Sequence, residues 1–120
     1  MAGRRPERVA HLVQAELARL LLEEAKNPLL REVIVTLVRM TPDLRIARVY
    51  FRTLDGGATQ AEVGRALERA APFLRAEIGH ALGMRVTPEL RFAYDEVPDT
   101  ADRVDALLRG PARPREDEEV

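Results

Sequence analysis

The stretch Ile46-Ala47-Arg48-Val49-Tyr50-Phe51-Arg52-Thr53 decides the fold. Successive side chains of a strand point to opposite faces, so Ala47, Val49 and Phe51 share one side while Arg48, Tyr50 and Arg52 share the other with Ile46. One face is apolar and suited to helices; the other is basic and carries an aromatic. Upstream, Glu32 to Met40 is equally rich in Val, Ile, Leu and Thr, and Arg45 to Leu54 continues the pattern. The intervening Thr41-Pro42-Asp43-Leu44 contains turn formers, which predicts a β-hairpin.

Working outward, Val9, Leu12, Val13, Leu17, Leu20 and Leu21 recur at three and four positions, the spacing of one helix face. Pro6 suits a first helical turn, and Asn27-Pro28 ends the element because a residue before Pro is pushed out of the α region. After the hairpin, Asp55 to Ala58 reads as a loop. Thr59 and Glu62 have capping-box spacing and predict a helix start. The apolar register runs through Val63, Ala66, Leu67 and Ala70 and resumes in Phe73, Leu74, Ile78 and Leu82. A Pro inside a helix loses one backbone hydrogen bond and its ring strikes the carbonyl four residues back, at about 3 kcal/mol. An interruption is therefore expected at Ala70-Ala71-Pro72, giving two helices, the second closed by Gly83. Arg85 to Tyr94 reads as a third strand, exposed on a sheet edge or bulged at Pro88.

The expected order is α-β-β-α-(kink)-α-β. A three-stranded sheet with helices on one face satisfies the packing rules for such a set, an α+β class. The core domain is read as residues 1–95. A C-terminal appendage over 96–110 includes a short helix from Asp99 to Arg109, and 111–120 has little to bury and reads as a disordered acidic tail.

The 120 residues hold 19 basic and 20 acidic side chains. Sorted by region, residues 1–52 carry ten bases and six acids, 53–95 five and six, and 96–120 four and eight. The folded part is thus basic and the end acidic, a distribution that permits RNA binding. Eighteen of the 19 bases are Arg, a side chain able to pair bidentately with phosphate or to stack on bases. Most read as solvated surface. The better binding candidates are Arg4, Arg5 and Arg8 at the first helix start, Arg48 and Arg52 on the basic strand face, and Arg75 and Arg85 around the second helical half.

The chain has no Cys and no Ser, which removes the two commonest nucleophiles and argues against an enzyme. His11 and His80 stand far apart and outside any zinc spacing, so they read as helix-surface residues. Neither a phosphate-cradling Gly-rich loop nor a metal or cofactor site is evident. With no membrane-length apolar run, the chain reads as cytoplasmic.

Several blocks, in order, carry a family resemblance: Arg5-Pro6-Glu7-Arg8-Val9, Asn27-Pro28-Leu29-Leu30, Thr41-Pro42-Asp43-Leu44-Arg45-Ile46-Ala47-Arg48-Val49-Tyr50, Phe73-Leu74-Arg75, and Arg85-Val86-Thr87-Pro88-Glu89-Leu90-Arg91-Phe92-Ala93-Tyr94-Asp95. Together they resemble the ribosome-binding factor A family over about residues 4–109. The resemblance implies a type II KH-like RNA-binding domain and a non-enzymatic factor that binds the immature small ribosomal subunit and its RNA. It also implies help with late RNA processing and maturation, growth in the cold, and a later assembly GTPase for release; apart from the resemblance, nothing in the sequence suggests an obligate dimer, so a monomer is expected. Most KH domains clamp nucleic acid with a GxxG loop; the family carries an interrupted helix, usually Ala-x-Gly, in its place. Here the matching residues are Ala70, Ala71 and Pro72. Pro offers no N–H to a phosphate, so Arg69 and Arg75 beside it become the expected contacts. The rival reading from the residues alone is a small αβ protein-protein interaction module without RNA.

Overall fold

The hairpin forms as the alternation requires. In the computed structural model, which describes residues 4–54 and 57–96, β1 (Val33–Met40) pairs antiparallel with β2 (Ile46–Thr53). The turn between them is closed at several points. Thr41 N–H donates to the Ile46 carbonyl at 3.0 Å, and Ile46 N–H to Thr41 Oγ1 at 3.1 Å. The Asp43 carboxylate accepts from the Thr41 hydroxyl at 2.7 Å and from Arg45 N–H at 3.1 Å. These bonds hold Leu44 at φ 63°, a left-handed conformation that an L side chain disfavours by about 1–2 kcal/mol. The same bonds, the hydroxyl's first, lower the Asp43 pKa below the ordinary carboxylate range.

Ala47, Val49 and Phe51 are buried, at 0%, 1% and 3% exposure. The helix α1 (Arg4–Glu23) lies over β1, and α2 (Gln60–Leu82) over β3 (Glu89–Tyr94). Val13, Leu17, Leu20, Val63, Leu67, Leu74 and Ile78 close one core on this sheet face. A short 3-10 turn (Pro28–Glu32), capped by Asn27 Oδ1 accepting from Leu29 N–H, leads the chain from α1 into β1. β3 pairs parallel to β2, so the sheet order is β1-β2-β3 and is mixed. A parallel neighbour cannot be reached by a tight turn, and α2 is the crossover that makes the return. This α+β architecture agrees with the class expected from sequence.

The expected interruption at Ala70-Ala71-Pro72 is corrected: α2 is one helix of 23 residues with Pro72 inside it. Pro72 and Glu68, whose carbonyl loses its partner, are both exposed, so water can satisfy that oxygen. The opposite face buries Val63, Leu67, Leu74 and Ile78, two on each side of the Pro. At about 1.5–3 kcal/mol for each such side chain, keeping that face continuous outweighs a lost bond and a ring clash of about 3 kcal/mol. The capping box at Thr59 and Glu62 is present in both directions, at 2.9 and 3.1 Å, and Gly83 closes α2 at φ 63°. The third strand begins at Glu89 and not at Arg85. Pro88, which has no N–H for a ladder, is buried just ahead of it.

The return to β3 is pinned at both ends. Gly79 lies so close to Thr87 that a Cβ there would collide with the Thr87 methyl. At the far end, Asp95 is the one buried polar residue among those described; its carboxylate accepts from the Thr36 hydroxyl at 2.7 Å and its N–H donates to the Phe51 carbonyl at 2.8 Å. The expected helix within 99–109, the appendage and the acidic tail lie outside the described residues.

Two stability measurements follow from α2. Pro72→Ala restores a helix bond but adds freedom to the unfolded chain, so a net gain of about 1–2 kcal/mol is expected in urea denaturation. Gly79→Ala, which in an open helix would stabilise by about 1 kcal/mol, is expected to destabilise by about 1–2 kcal/mol through the Thr87 collision. A stabilised Gly79→Ala would contradict the packing described.

Candidate nucleic-acid interface

Three arginines from three separate elements converge at one end of the molecule. Arg5 on the first turn of α1, Arg45 after the hairpin turn and Arg85 in the loop between α2 and β3 line a common cleft of about 550 Å³. Val9, Leu12 and Val86 give it an apolar wall, and Asp43 is its acid. Leu44 and Gly83, the residues at φ 63°, also line it, so the two left-handed turns shape the opening. Arg5 and Arg85 are brought together as candidates; Arg45 was not expected. Nothing in its local sequence separates it from other turn residues, because the grouping depends on the packing of α1 against the hairpin.

The other candidates divide. Arg4 begins α1, and Arg8 on the same helix is exposed. Arg69 is exposed on α2, Ala70 and Ala71 are half-buried, and Pro72 is exposed. With the helix unbroken, that segment forms a continuous surface and not a loop. Arg75 is committed elsewhere. Its Nε donates to the Pro88 carbonyl at 3.0 Å and its Nη2 to the Thr87 carbonyl at 3.2 Å, with Thr87 Oγ1 at 3.4 Å. This guanidinium ties α2 to the loop that delivers β3. Arg52 is also tied down: Nη1 donates to the Asp95 carbonyl at 3.0 Å, and the guanidinium lies 5.6 Å from the Tyr94 ring centroid.

The sheet face away from the helices carries Arg48, Tyr50 and Arg52, all half-buried. Register adds two arginines that the strand pattern alone did not single out. Arg39 of β1 stands opposite Arg48, and Arg48 stands beside Arg91 of β3. Arg91 pairs with Glu89 at 3.1 Å, and that guanidinium holds the Glu89 carboxyl below its usual pKa. The symmetric pairing about the turn could have revealed Arg39; Arg91 required knowing that β3 returns parallel.

Among the described residues, no group of His, Cys, Asp and Glu could hold a metal ion. No helix of that set is long and apolar enough to cross a membrane. The arrangement offers hydrogen-bond donors and positive charge, the chemistry of phosphate binding.

Comparison with known proteins agrees in extent. A family profile described as ribosome-binding factor A matches residues 5–108. A ribosome-binding factor A of Hahella chejuensis is 43% identical over 112 residues, covering 88% of this chain and 82% of its own. That of Desulfatibacillum aliphaticivorans is 38% identical, with 96% of each chain covered. Among solved structures, the crystal structure of ribosome-binding factor A from Thermus thermophilus matches with a TM-score of 0.65 and 25% identity, over 74% of this chain and 94% of that one. A homology model of the Thermus thermophilus factor, fitted into a cryo-EM map of a 30S complex of that factor, matches with a TM-score of 0.56 and 31% identity, covering 76% of this chain and 99% of that one.

Arg75→Gln keeps some polarity but loses the forked donor set. A loss of about 1–2 kcal/mol is expected in chemical denaturation; unchanged stability would remove Arg75 from its role in anchoring the loop.

Proposed function

The chain belongs to the ribosome-binding factor A family, and we propose that it binds the immature small ribosomal subunit through its RNA and assists late processing and maturation of that RNA. What carries the reading is coverage: the structural match spans 99% of a chain fitted into the map of a 30S complex. The surface suits the task, since Arg5, Arg45 and Arg85 meet at one cleft and Arg39 and Arg48 face each other on the sheet. Arg4, Arg8 and Arg69 would extend these contacts.

The mechanism is differential binding. A protein that engages one RNA conformation better than its alternatives shifts the RNA toward it, by no more than the difference in affinity. No bond is made or broken on the protein. Action as a monomer in the cytoplasm, release by an assembly GTPase and a contribution to growth in the cold belong to the same proposal.

Cosedimentation with purified small subunits and with mature ribosomes tests it. Binding to small subunits is expected at 50 mM salt and to fall roughly 100-fold by 200 mM, the loss for about four neutralised phosphates. Absence of binding at low salt would sink the proposal. Salt-independent binding would point to an apolar protein interface in place of RNA.

A further inference from the structure

Arg39 and Arg48 face each other across neighbouring strands, a placement that destabilises when like charges stand opposite. Both are half-buried, so their repulsion is less screened than at an open surface. Among the described residues no carboxylate pairs with either guanidinium, and Arg39 Nη1 is buried without a hydrogen-bond partner. A buried, charged donor without an acceptor is costly. The other two arginines of this sheet face have their acceptors, Arg91 in Glu89 and Arg52 in the Asp95 carbonyl. The uncompensated charge is therefore concentrated at this one pair.

The pair also has a recess. Arg39 and Arg48 line a cavity of about 220 Å³ with Met40, Thr41 and Pro42. The Thr41 hydroxyl is already engaged, donating to Asp43 and accepting from Ile46 N–H. The guanidinium forks are then its remaining strong donors, and their planar geometry matches the oxygens of a phosphoryl group. An anion seated between the two guanidinium groups would replace their repulsion by two attractions.

The surroundings favour a polymer over a small ion. Tyr50 lies two residues along β2 on the same face, and Ile34, whose β2 partner is Arg52, is 46% exposed. An aromatic and aliphatic surface beside a phosphate seat is the composition that takes the bases and sugars of single-stranded nucleic acid. We infer that Arg39 and Arg48 form an anion seat on the outer sheet face that takes a backbone phosphate of single-stranded RNA. The inference rests on the proposed function for the identity of that RNA and adds a second contact surface, apart from the cleft at Arg5, Arg45 and Arg85.

The test uses the full chain and the variants Arg39→Gln and Arg48→Gln, separately and together. Binding is measured by fluorescence anisotropy to a single-stranded RNA oligonucleotide, and by cosedimentation with small subunits, across 50–200 mM salt. The double variant is expected to bind both about tenfold more weakly, with the slope of log affinity against log salt reduced by about 1. Its melting temperature without RNA is expected to hold or to rise by roughly 1–4 °C as the repulsion disappears, which separates lost binding from lost folding. Wild-type affinity and slope in the double variant would overturn the seat while leaving the proposed function intact. Wild-type failure on subunits with retained oligonucleotide binding would do the reverse. If inorganic phosphate at millimolar concentration raises the wild-type melting temperature but not the double variant's, while the double variant binds the oligonucleotide as wild type does, the seat takes the free ion and the polymer assignment falls.

Discussion

The alternation of β2 is the constraint on which the molecule depends. Ala47, Val49 and Phe51 must face the helices, and that choice forces Arg48, Tyr50 and Arg52 onto the other side. A slip of one residue would bury arginines and expose the core, so register is specified far more strongly than strand propensity alone would do. Because β2 is central, the same register assigns the faces of both neighbours. The core and the basic sheet face are two consequences of one pattern.

Much of this was legible in the sequence because it is local. The hairpin follows from two alternating strands around Thr41-Pro42-Asp43-Leu44, and the start and end of α2 follow from Thr59, Glu62 and Gly83. The unbroken path through Pro72 was not legible. A local rule assigns Pro a cost, but only tertiary packing says whether a continuous apolar face can absorb it. Val63 and Leu67 before it and Leu74 and Ile78 after it, all at 0% exposure, decide the matter. The start of β3 was hidden for a related reason. Arg85 and Val86 are strand-like in composition, yet Pro88 and the Arg75 bonds hold the segment as a loop.

The candidate site divides along the same line. That Arg5 and Arg85 belong to an exposed basic surface could be read from charge and position; that they share a cleft with Arg45 needed three elements packed together. Arg75 shows the opposite case. Its sequence position beside Pro72 suggested RNA, and only the packed fold reveals that its guanidinium also holds the loop ahead of β3. Arg39 drew no notice as a lone charge in β1, and it gains meaning only when paired with Arg48 across the hairpin. Isolated arginines are uninformative; an arginine without an acceptor, opposite another, is not.

The proposed RNA contact on the outer face of β2, opposite its core face, is tested directly by arginine modification with phenylglyoxal, mapped by mass spectrometry on the free protein and on its complex with small subunits. Arg19 is the internal reference, being on α1 away from the sheet and paired with Glu16 at 2.6 Å. Protection of Arg39 and Arg48 in the complex, with Arg19 modified as in the free protein, is the result expected. Protection of Arg19 with Arg39 and Arg48 still fully reactive would contradict the assignment and move the interface to the helical side.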